Sequence, residues 1–181
     1  MSKQWFTGLS WISALWAASG MAYGQSSAST QIPVTATVTQ SCTISTVSAL
    51  AFAAYDPIGL NATAALNSNG QISVACSKGA VGVTIAMNYG TNFTGTQRAM
   101  LGGSAKGKLN YNIFQPPSAA PGTACTFPGT TPWNDTGAGL LTLTASPAKT
   151  ARLYNVCGTI PGGQDVAADT YTDIVGATLN F

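Results

Sequence analysis

The chain has 181 residues, 7 Lys and Arg, 5 Asp and no Glu or His. Only 7% of it is charged and its formal net charge is +2, whereas an ordinary soluble domain is about 25% charged. Without histidine there is no Ser-His-Asp or Cys-His catalysis and no imidazole metal ligand. Near-neutrality also excludes the clustered basic surface that nucleic acid requires. Hydrophobic residues make up 45% of the chain, and 24 Thr and 16 Ser supply most of its polarity. That composition argues against disorder, and a surface this neutral must tolerate self-association or use it.

The N-terminus reads as an address. Lys3 precedes an apolar stretch from Trp5 to Ala18, and Ala22-Tyr23-Gly24 places small residues at the −3 and −1 positions of a cleavage site. This predicts a secretory signal peptide over 1–24, removed before Gln25. The run is shorter than the about 20 apolar residues that a membrane anchor needs. Export fits the four remaining cysteines, Cys42, Cys76, Cys125 and Cys157. An even number outside the cytoplasm reads as two disulfides. Three connectivities are open, of which the sequential pairs are favoured. No CxxC spacing supports a metal site instead.

Residues 25–41 follow as an extension. Gln25 to Thr30 is small and polar, hence flexible. Ile32, Val34, Ala36 and Val38 then alternate with Pro33, Thr35, Thr37 and Thr39, a period-2 strand at the end of a tether. It is either an ordinary first strand or one meant for another molecule's sheet.

Beyond it, short apolar alternations are separated by Gly, Pro and Asn turns. Gln71–Cys76, Val81–Met87, Lys108–Phe114, Leu140–Thr144 and Arg152–Val156 read as strands. So do the last eleven residues, with Tyr171, Val175, Ala177, Leu179 and Phe181 on one face and Asp173 interrupting it. Residues 115–139, rich in Pro and Gly, read as loops pinned by Cys125. Many short strands with two bridges predict an immunoglobulin-like antiparallel β-sandwich.

Other signals are weak. Gly102 to Lys108 nearly matches a P-loop but continues into Leu109 and a strand, so it reads as a Gly-rich turn. Asn61, Asn92 and Asn134 begin glycosylation sequons that reflect an Asn/Thr-rich composition. Asp165, Asp169 and Asp173 recur every four residues, but not on a predicted helix. The first two read as solvated turn residues and Asp173 as a turn-capping group. Trp133 and Tyr154 could stack on a sugar, although core packing is the more economical account.

The ordered motifs carry a resemblance. They are Cys42-Thr43-Ile44, Leu50 to Pro57, Ile72 to Cys76, Arg98-Ala99-Met100, Leu109 to Phe114, Trp133, Gly158 to Gln164, Tyr171 to Val175 and Leu179-Asn180-Phe181. Together, over 42–181, they resemble the spore coat protein U domain family. Its best-understood members look like subunits of archaic, Csu-type chaperone–usher pili. Ala53 and Asp169 stand where the family usually has glycine, and a Cys125–Cys157 pair is not a general family feature.

The resemblance implies an incomplete immunoglobulin-like β-sandwich lacking its last strand, completed by donor-strand exchange. It implies a periplasmic chaperone, an outer-membrane usher and neighbouring subunits as partners, and a pilus on the cell surface supporting attachment and biofilm formation. It casts Ile32, Val34, Ala36 and Val38 as the donor-strand residues and the Phe181 carboxylate as the group anchored by the chaperone. No enzyme activity, cofactor or nucleic-acid partner is expected. The competing reading is an exported carbohydrate-binding or adhesive surface module.

Overall fold

A computed structural model describes residues 24–181, so the predicted signal-peptide features from Lys3 to Tyr23 lie outside the described residues. Of the described residues, those up to Thr37 form one unit and Val38–Phe181 another. Residues 24–41 belong to no helix or strand. The strand expected over Ile32–Thr39 therefore does not form in the single chain, because a strand needs a partner for its backbone groups.

The second unit is all-β. Its strands are β1 (Cys42–Ser48), β2 (Leu66–Cys76), β3 (Thr84–Met87), β4 (Arg98–Gly102), β5 (Lys108–Phe114), β6 (Leu141–Thr142), β7 (Arg152–Ile160), β8 (Tyr171–Thr172) and β9 (Ala177–Asn180). One sheet has the order β1-β2-β7-β5-β4-β8 and the other β6-β3-β9. Every pairing between these strands is antiparallel. The two sheets enclose a single core, making a β-sandwich.

Alternation explains the central strands. In β2, Ile72, Val74 and Cys76 turn inward, and in β5 Leu109, Tyr111 and Ile113 do so. In β7 the inward positions include Tyr154, Val156 and Ile160. Trp133 ties the layers together. It is fully buried, its indole N–H donates to the Ile85 carbonyl of β3 at 2.9 Å, and its backbone N–H donates to Ile113 of β5 at 2.9 Å.

Arg98 makes a second tie. Its side chain leaves β4 for the other layer, where its guanidinium donates to the carbonyls of Met87, Asn88 and Trp133 at 2.6–3.0 Å. Burial lowers the pKa of this group, while nearby Tyr111 and Tyr89 work the other way.

The disulfides join Cys42 to Cys76, directly across β1 and β2, and Cys125 to Cys157, fastening the 115–139 loop to β7. Their sequence separations are 34 and 32. In the chain-entropy account each bridge stabilises by ~3–4 kcal/mol.

Candidate functional site: an open groove between the sheets

The groove has two walls. The first is the chain after β1. Gly70 of β2 and Gly158 of β7 let it lie close. A Cβ at Gly70 would stand 2.9 Å from the Leu50 backbone nitrogen, and one at Gly158 would stand 2.7 Å from the Leu50 side chain. The Ser68 hydroxyl donates to the Ala51 carbonyl. Further along, the Tyr55 hydroxyl donates to the Pro161 carbonyl at 3.0 Å and accepts the Gln164 N–H at 3.0 Å. The Gln164 amide in turn pairs with both backbone groups of Asn110 at 2.8 and 2.9 Å. Asn61, which begins a sequon, is buried and holds the Asp56 N–H and the Ala64 carbonyl.

The second wall runs from Val166 to Ala177. Asp173 anchors it. One carboxylate oxygen accepts the backbone N–H groups of Thr91 and Asn92, the Thr91 hydroxyl and the Asn92 amide at 2.8–3.2 Å. The other accepts the Tyr111 hydroxyl at 2.7 Å. Asp169 is half-buried and accepts the N–H groups of Ser104 and Ala105 at 2.8 and 2.7 Å and of Thr170 at 2.8 Å. It is a hairpin clamp rather than the freely solvated residue expected. It also occupies two of the backbone donors of the near-P-loop stretch, those of Ser104 and Ala105. Asp165 makes no such bond among those described.

Electrostatics follow from these contacts. Burial pushes the Asp173 carboxyl up, but the hydrogen bonds from Tyr111 and Thr91 outweigh it and hold the pKa below the ordinary carboxylate value. Burial and then the Asp173 bond push the Tyr111 phenol well above its usual range. Because Asp173 has the lower pKa when folded, its contribution to stability is present above the ordinary value. It is lost as pH falls through about 4 and then through the folded value. We expect the thermal midpoint of the wild type to exceed that of Asp173→Asn at pH 7, and the gap to shrink as pH falls towards 3. A gap independent of pH contradicts this assignment.

Between the walls, two adjoining clefts of about 430 and 590 Å³ open over the inner face of the six-stranded sheet, with Ile72, Tyr111 and Ile113 in the floor of the first. β1 and β9 are edge strands of their sheets, and among the described residues no strand pairs with their free edges. Tyr171, Val175, Ala177 and Leu179 pack on the core but are only half-buried. The last eleven residues are thus not the single strand expected: β8 joins the six-stranded sheet and β9 the other, and their apolar side chains are incompletely covered.

The remaining predicted residues are spread over the molecule. Ile32, Val34 and Val38 are 80%, 90% and 87% exposed, and Ala36 is exposed as well. The extension joins the sandwich at Gln40, whose amide pairs with the Val81 carbonyl and N–H at 3.2 and 3.4 Å. Phe181, just beyond β9, is 58% exposed. Trp133 and Tyr154 are both core residues, so they offer no face to a sugar. Among the described residues no three His, Cys, Asp or Glu side chains group so as to hold a metal ion.

No curated protein matches the chain. Among solved structures, it is similar to one described as the CsuC–CsuE chaperone–tip adhesion subunit pre-assembly complex from archaic chaperone–usher Csu pili of Acinetobacter baumannii. The TM-score is 0.52 and the identity 23%, and the match covers 80% of this chain and 41% of that one. That likeness is one of fold, and this chain spans less than half of its neighbour's length. The model of the Spore Coat Protein U domain matches residues 28–178, a span that takes in both the alternating segment at Ile32–Val38 and the two walls of the groove. The chain belongs to the Spore Coat Protein U domain family.

Proposed function

We propose that the chain is a structural subunit of an archaic chaperone–usher pilus, polymerising head to tail by donor-strand complementation. The observation that carries this reading is the groove, which is flanked by two unpaired strand edges and by half-buried apolar side chains. It has the form of a site for one more strand. The occupant is residues 25–41 of a second copy, in which Ile32, Val34, Ala36 and Val38 alternate and find no cover in their own chain. Backbone hydrogen bonds along the edges would supply affinity and alternate side chains would fill the clefts. Because the contact is head-to-tail and does not close, it generates a fibre.

Before assembly the same groove needs a temporary strand, which a periplasmic chaperone supplies. Phe181 ends beside the open edge, where its carboxylate is available to basic residues of that chaperone. An outer-membrane usher then exchanges the chaperone strand for the next subunit's extension, and the fibre emerges at the cell surface to support attachment and biofilm formation.

Removing Gln25–Thr39 while keeping Gln40 tests this reading. The shortened subunit is expected to bind chaperone and to accept a wild-type extension, but never to donate to a neighbour. Co-expressed with wild type, it should terminate chains and shorten denaturant-resistant ladders. Ladders of unchanged length would overturn the proposal.

A further inference from the structure

The two clefts share Leu50, Phe52, Met100 and Tyr171, so these four side chains form the neck between them. Two of the four are held in place. The Tyr171 hydroxyl donates to the Ala167 carbonyl at 2.8 Å, and Phe52 stands edge-on to Tyr111 with ring centroids 6.4 Å apart.

The extension has one side chain suited to such a place. Residues two apart on a strand are separated by ~6.7 Å, so Ile32, Val34, Ala36 and Val38 reach into a groove at regular steps. Only Ala36 ends at Cβ. We propose that Ala36 of the incoming copy crosses the neck and thereby sets the register of the donor strand, an inference that rests on the donor-strand reading above. Ile32 and Val34 then occupy the cleft on one side and Val38 the cleft on the other. A slip of two residues drives Val34 or Val38 against the rings of Phe52 and Tyr171. A slip of one turns the threonines inward. Ala36 is thus the specificity-determining position, and the groove selects an extension whose third alternate residue is small.

The test uses the full-length chain, refolded with a fluorescent synthetic peptide of Gln25–Gln40, and reads binding by anisotropy. The native peptide is expected to bind. Ala36→Leu in the peptide should weaken binding at least tenfold, whereas Val34→Leu, equally bulky but inside a cleft, should change it less than threefold. Met100→Ala in the chain opens the neck and should restore the Ala36→Leu peptide to within threefold of native. Leu50→Ala provides a second opening if Met100→Ala does not fold. Equal binding of the native and Ala36→Leu peptides overturns the register assignment and leaves the donor-strand reading standing. So does an equal loss for Val34→Leu, or failure of both openings to restore binding. No binding of the native peptide overturns both.

Discussion

Replacing Val34 with aspartate is expected to abolish stable addition of one subunit to the next while leaving the sandwich intact. Val34 is 90% exposed in the single chain, so the substitution removes nothing from its own subunit. In the neighbour's groove the loss is twofold. Burial of the valine, worth ~1.5–3 kcal/mol, disappears. A carboxylate must also enter an apolar cleft without a partner, a penalty of several kcal/mol. The sum is about 4 kcal/mol or more, roughly a thousandfold in affinity. The melting transition of the monomer should be unchanged and denaturant-resistant ladders should vanish. A lower melting midpoint with normal ladders would mean that the segment is an ordinary strand of its own subunit.

Arg98→Met is expected to cause the largest loss of stability within the sandwich. Arg98 is 4% exposed and its guanidinium serves three backbone carbonyls that come from β3, the residue after it and the Trp133 turn. Methionine fills much of the volume but donates nothing. Three carbonyls then lose a charged donor in a site closed to water, at about 3–5 kcal/mol in total. Arg98→Lys should recover little of this, because one ammonium cannot reproduce the planar fork. Denaturant midpoints measure both. A loss below about 1 kcal/mol for Arg98→Met would show that the carbonyls find other partners.

Arg98 also marks a limit of what the residue pattern conveys. In the sequence Arg98 stands out only as part of the Arg98-Ala99-Met100 motif, and nothing local indicates that the carbonyls of Met87, Asn88 and Trp133 converge on it. β5 was legible to the residue, because Leu109, Tyr111 and Ile113 alternate cleanly. β2 and β7 were legible in part and run further than their apolar alternation, since residues 67–70 and 157–159 are polar or small. β1 was missed as a strand. It is an edge element with most of its Ser and Thr exposed, so burial imposes little pattern on it.

The candidate site divides in the same way. Ile32, Val34, Ala36 and Val38 stand out because their alternation is local. The groove does not, because its walls at Leu50–Pro57 and Val166–Ala177 meet only through tertiary contacts such as Tyr55 with Pro161 and Asp173 with Thr91. Asp169 was read as solvated for the same reason. Its partners Ser104 and Ala105 lie 65 and 64 residues away. The shortage of charge, by contrast, was visible at once. In the fibre proposed, few like charges would oppose the packing of one subunit on the next.

Hydrogen exchange on assembled fibres tests the central claim most directly. In the free chain the amides of Ile32–Val38 belong to no strand, and among the described residues the outer edge of β9 at Ala177–Asn180 has no pairing. If the extension of one copy completes the sandwich of the next, both stretches become ladder-bonded together, and their exchange slows together on assembly. Fibres in which Ile32–Val38 exchanges as fast as in the free chain, while the sandwich core stays protected, would contradict the account.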